Sequence, residues 1–162
     1  MNATPEPRKV TIERDYPASD TRIWELWTTA SGIEAWWAPD GFEVHVDVLD
    51  PRPGGTLTYT MTATGPEQVA FMEGAGLPLS TTSHKTFTVV EPRRRLAYTT
   101  LADFMPGVTP YEFLTEIELT PTDDGDGVHV TMTMDALHDQ EWTERLTAGR
   151  ENELANLAKL VG

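Results

Sequence analysis

Arg150 is the side chain of this sequence with the clearest chemical use. Thr143, Leu146, Arg150, Leu154, Leu157 and Val161 fall along one stripe at the helical period, so a guanidinium interrupts an otherwise apolar face. A guanidinium taken out of water needs a carboxylate neighbour, access to a cavity mouth, or an anionic ligand. Its planar fork suits a carboxylate, gripped by two parallel hydrogen bonds. Gly149 precedes it, and glycine inside a helix costs about 1 kcal/mol relative to alanine. An inner face broken in this way suits the wall of a cavity better than a filled seam.

The other chemistry-bearing residues do not assemble into a reaction centre. His45, His84, His129 and His138 come from different elements, and His45 and His129 alternate with apolar neighbours, so both should face outward. No shared metal site is expected from them. His138 stands with Asp139, Glu141 and Asp135 at the start of the last helix, where Asp139 as a helix cap is favoured over a cation site. Ser80 and Ser83 lack the glycine-x-serine-x-glycine turn of a nucleophile elbow, and the acids of residues 112–118 alternate outward. Pro53-Gly54-Gly55 lacks the Lys-Ser/Thr and following helix of a phosphate loop and reads as a hairpin turn. No catalytic residue, metal ligand or cofactor is assigned.

The positioning elements follow from periodicity. Lys9 to Tyr16 is a short strand ended by Pro17. Ser19 or Asp20 caps a helix through Ile23, Trp24, Leu26 and Trp27, and Ser31 starts a second through Ile33, Trp36 and Trp37. The tryptophans read as core anchors for two small helices on a sheet. Phe42, Val44, Val46 and Val48 alternate inward, and Leu57, Tyr59 and Met61 return after the Asp50–Gly55 turn. Residues 65–82 read as a binding loop or lid with one helical turn, carrying Phe71 and Met72 inward. Strands follow around Phe87 and Val89, Leu96 and Tyr98, residues 113–119, and Val128 to Met134, with Phe104 and Met105 on a Pro/Gly loop at 103–110. Acidic residues open the final helix, from His138 to Gly162. The expected class is α+β: a curved antiparallel sheet of about seven strands around a long C-terminal helix, with two short helices after strand 1. Residues 1–7 read as a disordered tail and 8–162 as one domain.

Composition excludes several partners. With 12 basic against 26 acidic residues, the net charge of −14 repels nucleic acid and anionic membranes. No apolar run is long enough to span a bilayer, no signal peptide is visible, and there are no cysteines, which fits a cytoplasmic protein.

Several stretches carry a resemblance: Ile23-Trp24-Glu25-Leu26-Trp27-Thr28, Ile33-Glu34-Ala35-Trp36-Trp37-Ala38-Pro39, Val46-Asp47-Val48 leading to Arg52-Pro53-Gly54-Gly55, and Glu91-Pro92 with Arg95-Leu96-Ala97-Tyr98. With the last helix, they resemble the helix-grip fold of the START-like (SRPBCC) superfamily, in the branch similar to the activator of the heat-shock protein 90 ATPase. A narrower likeness to bacterial members rests on Asp103-Phe104-Met105-Pro106-Gly107-Val108 with Pro110-Tyr111, and on Met134-Asp135-Ala136-Leu137-His138-Asp139 with Trp142-Thr143. Where relatives carry an aromatic after the helix glycine, this chain has Arg150.

The resemblance implies an apolar cavity between sheet and C-terminal helix that takes a small hydrophobic molecule, and it leaves the reaction open. The expected ligand set is Phe71, Met72, Phe104 and Met105 at the mouth, Tyr59, Tyr98 and Met134 on the walls, and Gly149-Arg150, where Arg150 would meet an acidic group of the ligand. An aromatase/cyclase-like or hydrolytic enzyme is the second class and would need Tyr59, Tyr98 or His138 in the cavity. A co-chaperone-like interaction module is the third. A homodimer is compatible with all three.

Overall fold

The computed structural model of the protein describes residues 9–102, 107–122 and 126–161. In chain order the elements are β1 (Lys9–Tyr16), α1 (Asp20–Thr28), α2 (Ala30–Trp36), β2 (Phe42–Leu49), β3 (Thr56–Ala63), α3 (Pro66–Gly74), β4 (Ser80–Glu91), β5 (Arg95–Ala102), β6 (Tyr111–Pro121), β7 (Val128–Asp135) and α4 (Gln140–Val161). The sheet order is β1-β7-β6-β5-β4-β3-β2, antiparallel throughout. Strands β2 to β7 form a meander: β2–β3, β4–β5 and β6–β7 are joined by short links that return the chain beside itself, while the β3–β4 link carries α3. The longer α1–α2 connection lets β1 close the far edge against β7.

Sequence chemistry sets the helix ends. Ser19 Oγ accepts from the Arg22 N–H at 3.1 Å and caps α1. Thr29, not Ser31, caps α2: its hydroxyl accepts from the Gly32 N–H at 3.0 Å and donates to the Glu25 carbonyl at 2.7 Å. A Cβ on Gly32 would lie 2.6 Å from that carbonyl, so glycine permits the tight α1–α2 corner. Trp27, Trp36 and Trp37 are buried in series, with ring centroids 4.9 and 5.0 Å apart. They are the core anchors that their spacing predicted.

Two expectations about local structure are corrected. A β-bulge between Val46 and Val48 reverses the alternation, leaving Val48 49% exposed while Leu49 packs against the core. Residues 65–82 contain the nine-residue helix α3 and the start of β4, not a loop with one turn. Phe71 does not turn inward; it is 69% exposed, because α3 buries none of its residues.

Asp139 caps α4 by accepting from the Trp142 N–H at 2.8 Å. The second half of the helix is pinned to the body of the protein. The Tyr16 hydroxyl donates to the Leu154 carbonyl at 2.9 Å, and Asn156 Nδ2 donates to the Ala38 carbonyl at 3.1 Å. Burial pushes the Tyr16 phenol up to about 12. Within α4 the buried residues are Arg150, Glu153, Leu154 and Leu157, so the half before Arg150 is only partly covered. Beneath that half lies a small separate cluster of Ala102, Phe113 and Leu137, flanked by Val108, Tyr111, Trp142 and Leu146. Among the described residues no helix is long and apolar enough to cross a membrane.

Candidate functional site

A pocket opens where α4 is least covered. Leu137, Trp142, Arg145, Leu146, Gly149 and Arg150 enclose about 260 Å³, slightly below the range of about 300–1,000 Å³ usual for small-molecule sites. Trp142 and Leu146 come from one face of α4, and Leu137 from the segment that leads out of β7. Arg145 stacks over the Trp142 ring at 4.8 Å while its guanidinium bonds Glu141 at 2.8 Å, so its charge stays outside. A Cβ on Gly149 would meet nothing within 4 Å, and the missing side chain leaves that wall open.

Arg150 forms the inner end of this pocket and also belongs to a buried polar cluster behind it. It is 7% exposed and donates to Glu153, itself 8% exposed, at 2.6 Å. Of the partners open to Arg150 from sequence, the carboxylate neighbour is present, one turn along the same helix. Burial lowers the Arg150 pKa, but the Glu153 carboxylate together with the Tyr98 and Tyr59 phenols outweighs it and holds the group above its ordinary value, so the guanidinium stays charged. Burial raises Glu153 above 4.5, against the opposing pull of Arg150 and Lys85.

Lys85 is the member that sequence reasoning missed. It points inward from β4, 3% exposed, and donates to Thr100 Oγ1 on β5 at 3.0 Å. Its ammonium position lies 5.4 Å from the Tyr98 ring, 5.6 Å from Tyr59 and 6.0 Å from Trp37. Burial, reinforced by Arg150 and opposed by Glu153, holds its pKa well below 10.5. A signal existed: Lys85 stands two residues before Phe87, on the same face of the strand.

The remaining sequence-predicted residues are dispersed. Tyr59, Tyr98 and Met134 are buried in the main core, where Tyr59 accepts from the Trp37 indole N–H at 3.1 Å. Burial raises both phenols above 10. Met72 is half-buried on α3. Phe104 and Met105 lie outside the described residues, as does the 1–7 tail. Gly149 and Arg150 are thus the predicted residues that line the pocket; Leu137, Trp142 and Leu146 were missed as lining. His138 does not line it: its Nδ1 meets the Tyr111 hydroxyl at 2.9 Å and its Nε2 lies 3.3 Å from Asp139. His45 and His129 face outward beside carboxylates, as their alternation predicted. Among the described residues no group of three or more His, Asp or Glu could hold a metal ion.

An antiparallel sheet gripping a long C-terminal helix, with two short helices after the first strand, is the helix-grip architecture of START-like domains. Solved structures share it. A protein of Chromobacterium violaceum superposes with a TM-score of 0.72 at 20% identity, covering 96% of this chain and 98% of that one. One from Mycobacterium smegmatis gives 0.70 at 22% over 94% and 89%. The AHSA1 protein of Silicibacter pomeroyi gives 0.68 at 19% over 94% and 96%. At these identities the likeness shows the fold alone. Residues 17–162 match the family described as activator of Hsp90 ATPase homolog 1-like protein, and the chain belongs to that family. No curated protein matches the sequence.

Proposed function

We propose that the protein binds a small, largely hydrophobic molecule in the pocket under the first half of α4. The observation that carries this reading is the lining itself: Leu137, Trp142 and Leu146 around an open wall at Gly149, with Arg150 as the polar inner end. An apolar surround with one oriented polar group is the usual composition of a small-molecule site. Burial of apolar surface supplies affinity at about 25 cal/mol per Å², and the small volume favours a compact guest. The fold is one whose members commonly bind hydrophobic ligands. Native mass spectrometry of the purified protein should find a co-purifying small molecule. Replacing Gly149→Phe, whose side chain would occupy the open wall, should abolish that association while the far-ultraviolet circular dichroism is kept. Undiminished association in Gly149→Phe would place the guest elsewhere. The enzyme reading has less support, because Tyr59, Tyr98 and His138 do not line this pocket.

A further inference from the structure

The polar cluster behind the pocket has a surplus of buried donors. Lys85 and Arg150 are both buried, and among the described residues Glu153 is the carboxylate that faces them. Glu153 spends its shortest contact on Arg150 at 2.6 Å, and no carboxylate lies within ion-pair distance of Lys85 among the described residues. The groups packed around Lys85 are Trp37 after α2, Tyr59 on β3, Tyr98 and Thr100 on β5, and Arg150 and Glu153 on α4. Buried polar atoms without a partner here are Arg150 Nε, Tyr98 Oη, Thr115 Oγ1 and Trp27 Nε1. The Trp27 indole approaches the Tyr98 oxygen without hydrogen-bond geometry, and the hydroxyl's own proton has no acceptor.

Each of those atoms can donate; Arg150 Nε and Trp27 Nε1 can do nothing else, whereas the Tyr98 and Thr115 hydroxyl oxygens can also accept. Leaving a buried donor unpaired costs about 1–3 kcal/mol. With Lys85 held toward its neutral amine form, Arg150 and Glu153 balance each other, and an entering carboxylate would supply the counter-ion that lets Lys85 take up a proton. Arg150 connects the two regions, since it lines the pocket and joins the cluster.

We infer that the guest is a monocarboxylic acid with a small apolar body, its carboxylate anchored by Lys85 and the free edge of Arg150 and its body in the α4 pocket. The inference rests on the pocket reading above and names the chemistry that the pocket selects. An amine would face the Arg150 cation and a second amine. An uncharged head would leave Lys85 without a counter-ion, and a dianion would bring more charge than one lysine offsets. Glu153 holds the guanidinium in place, so Lys85 carries the discrimination that Arg150 alone was expected to supply. The low pKa of Lys85 fits an amine waiting for its counter-ion, since an entering carboxylate favours the ammonium form.

Calorimetric titration of the unaltered protein with octanoate, octanol and octylamine tests this directly. Octanoate should bind about tenfold tighter than octanol or better, and octylamine weakest. In Lys85→Met, octanoate should fall to the level of octanol. Equal affinity for octanoate and octanol in the unaltered chain overturns the acid anchor and leaves the pocket reading standing. A preference that survives Lys85→Met removes Lys85 as the anchor. Failure of all three probes to bind removes both readings. The comparison on the unaltered chain decides the acid preference even if Lys85→Met does not fold, and Lys85→Gln then serves as the second variant.

Discussion

Removing the Arg150 guanidinium tests the electrostatics on which the site is built. In Arg150→Leu, the Glu153 carboxylate loses a partner 2.6 Å away in a region where both residues are almost fully buried. With charge centres about 4 Å apart and an effective dielectric of about 20, that attraction is worth about 4 kcal/mol. Breaking one side of a buried pair costs about 3–5 kcal/mol. Protonation of Glu153 offsets part of this. Burial already raises its pKa above 4.5, and Arg150 is the stronger of the influences holding it down. A carboxyl with a raised folded-state pKa contributes stability that is complete below its unfolded value and is lost as pH rises through the folded one. The deficit of Arg150→Leu should therefore be modest near about pH 5 and grow to about 3 kcal/mol near about pH 8. Lys85 limits the growth, because loss of Arg150 removes a cation that lowers its pKa. Urea unfolding at both pH values measures this, and the cycle with Glu153→Leu isolates the pair: the double variant should recover most of the loss. Equal stability of Arg150→Leu and the parent at the higher pH, with no coupling in the cycle, would refute the argument.

Two further outcomes follow from local geometry. Gly149→Ala should raise stability by up to about 1 kcal/mol in thermal unfolding, since the added methyl meets open space and glycine weakens a helix interior. A neutral or destabilising result would show that glycine's backbone freedom is used there. His129 bonds Asp15 at 2.6 Å and Glu13 at 3.1 Å, and those hydrogen bonds raise its pKa above 6.5. Its contribution to stability is complete below about 6.5 and lost as pH rises through the folded value, so NMR titration should place its midpoint higher than that of a free histidine. A midpoint at or below the free value would contradict the bonding.

Much of this molecule was legible in its residues. β1 was bounded by Pro17, α1 by Ser19, and β6 and β7 by strict alternation of apolar and polar side chains, because each of these depends on neighbours two to four positions away. The bulge at Val46–Val48 was not legible, since one extra residue in a strand changes no residue type and still reverses the faces beyond it. Nor was the exposure of Phe71, which depends on how little of the protein reaches α3.

For the site, the sequence by itself determined that a guanidinium and a glycine would interrupt the inner face of the last helix. Helical spacing is a local property, and 3.6 residues per turn suffices to read it. Only the tertiary structure decided that Glu153 takes up that guanidinium, that Lys85 arrives beside it from a strand some 65 positions earlier, and that Leu137 and Trp142 complete the pocket. Burial and proximity between distant segments are set by sheet register and by the way α4 crosses the strands, and no spacing along the chain encodes them.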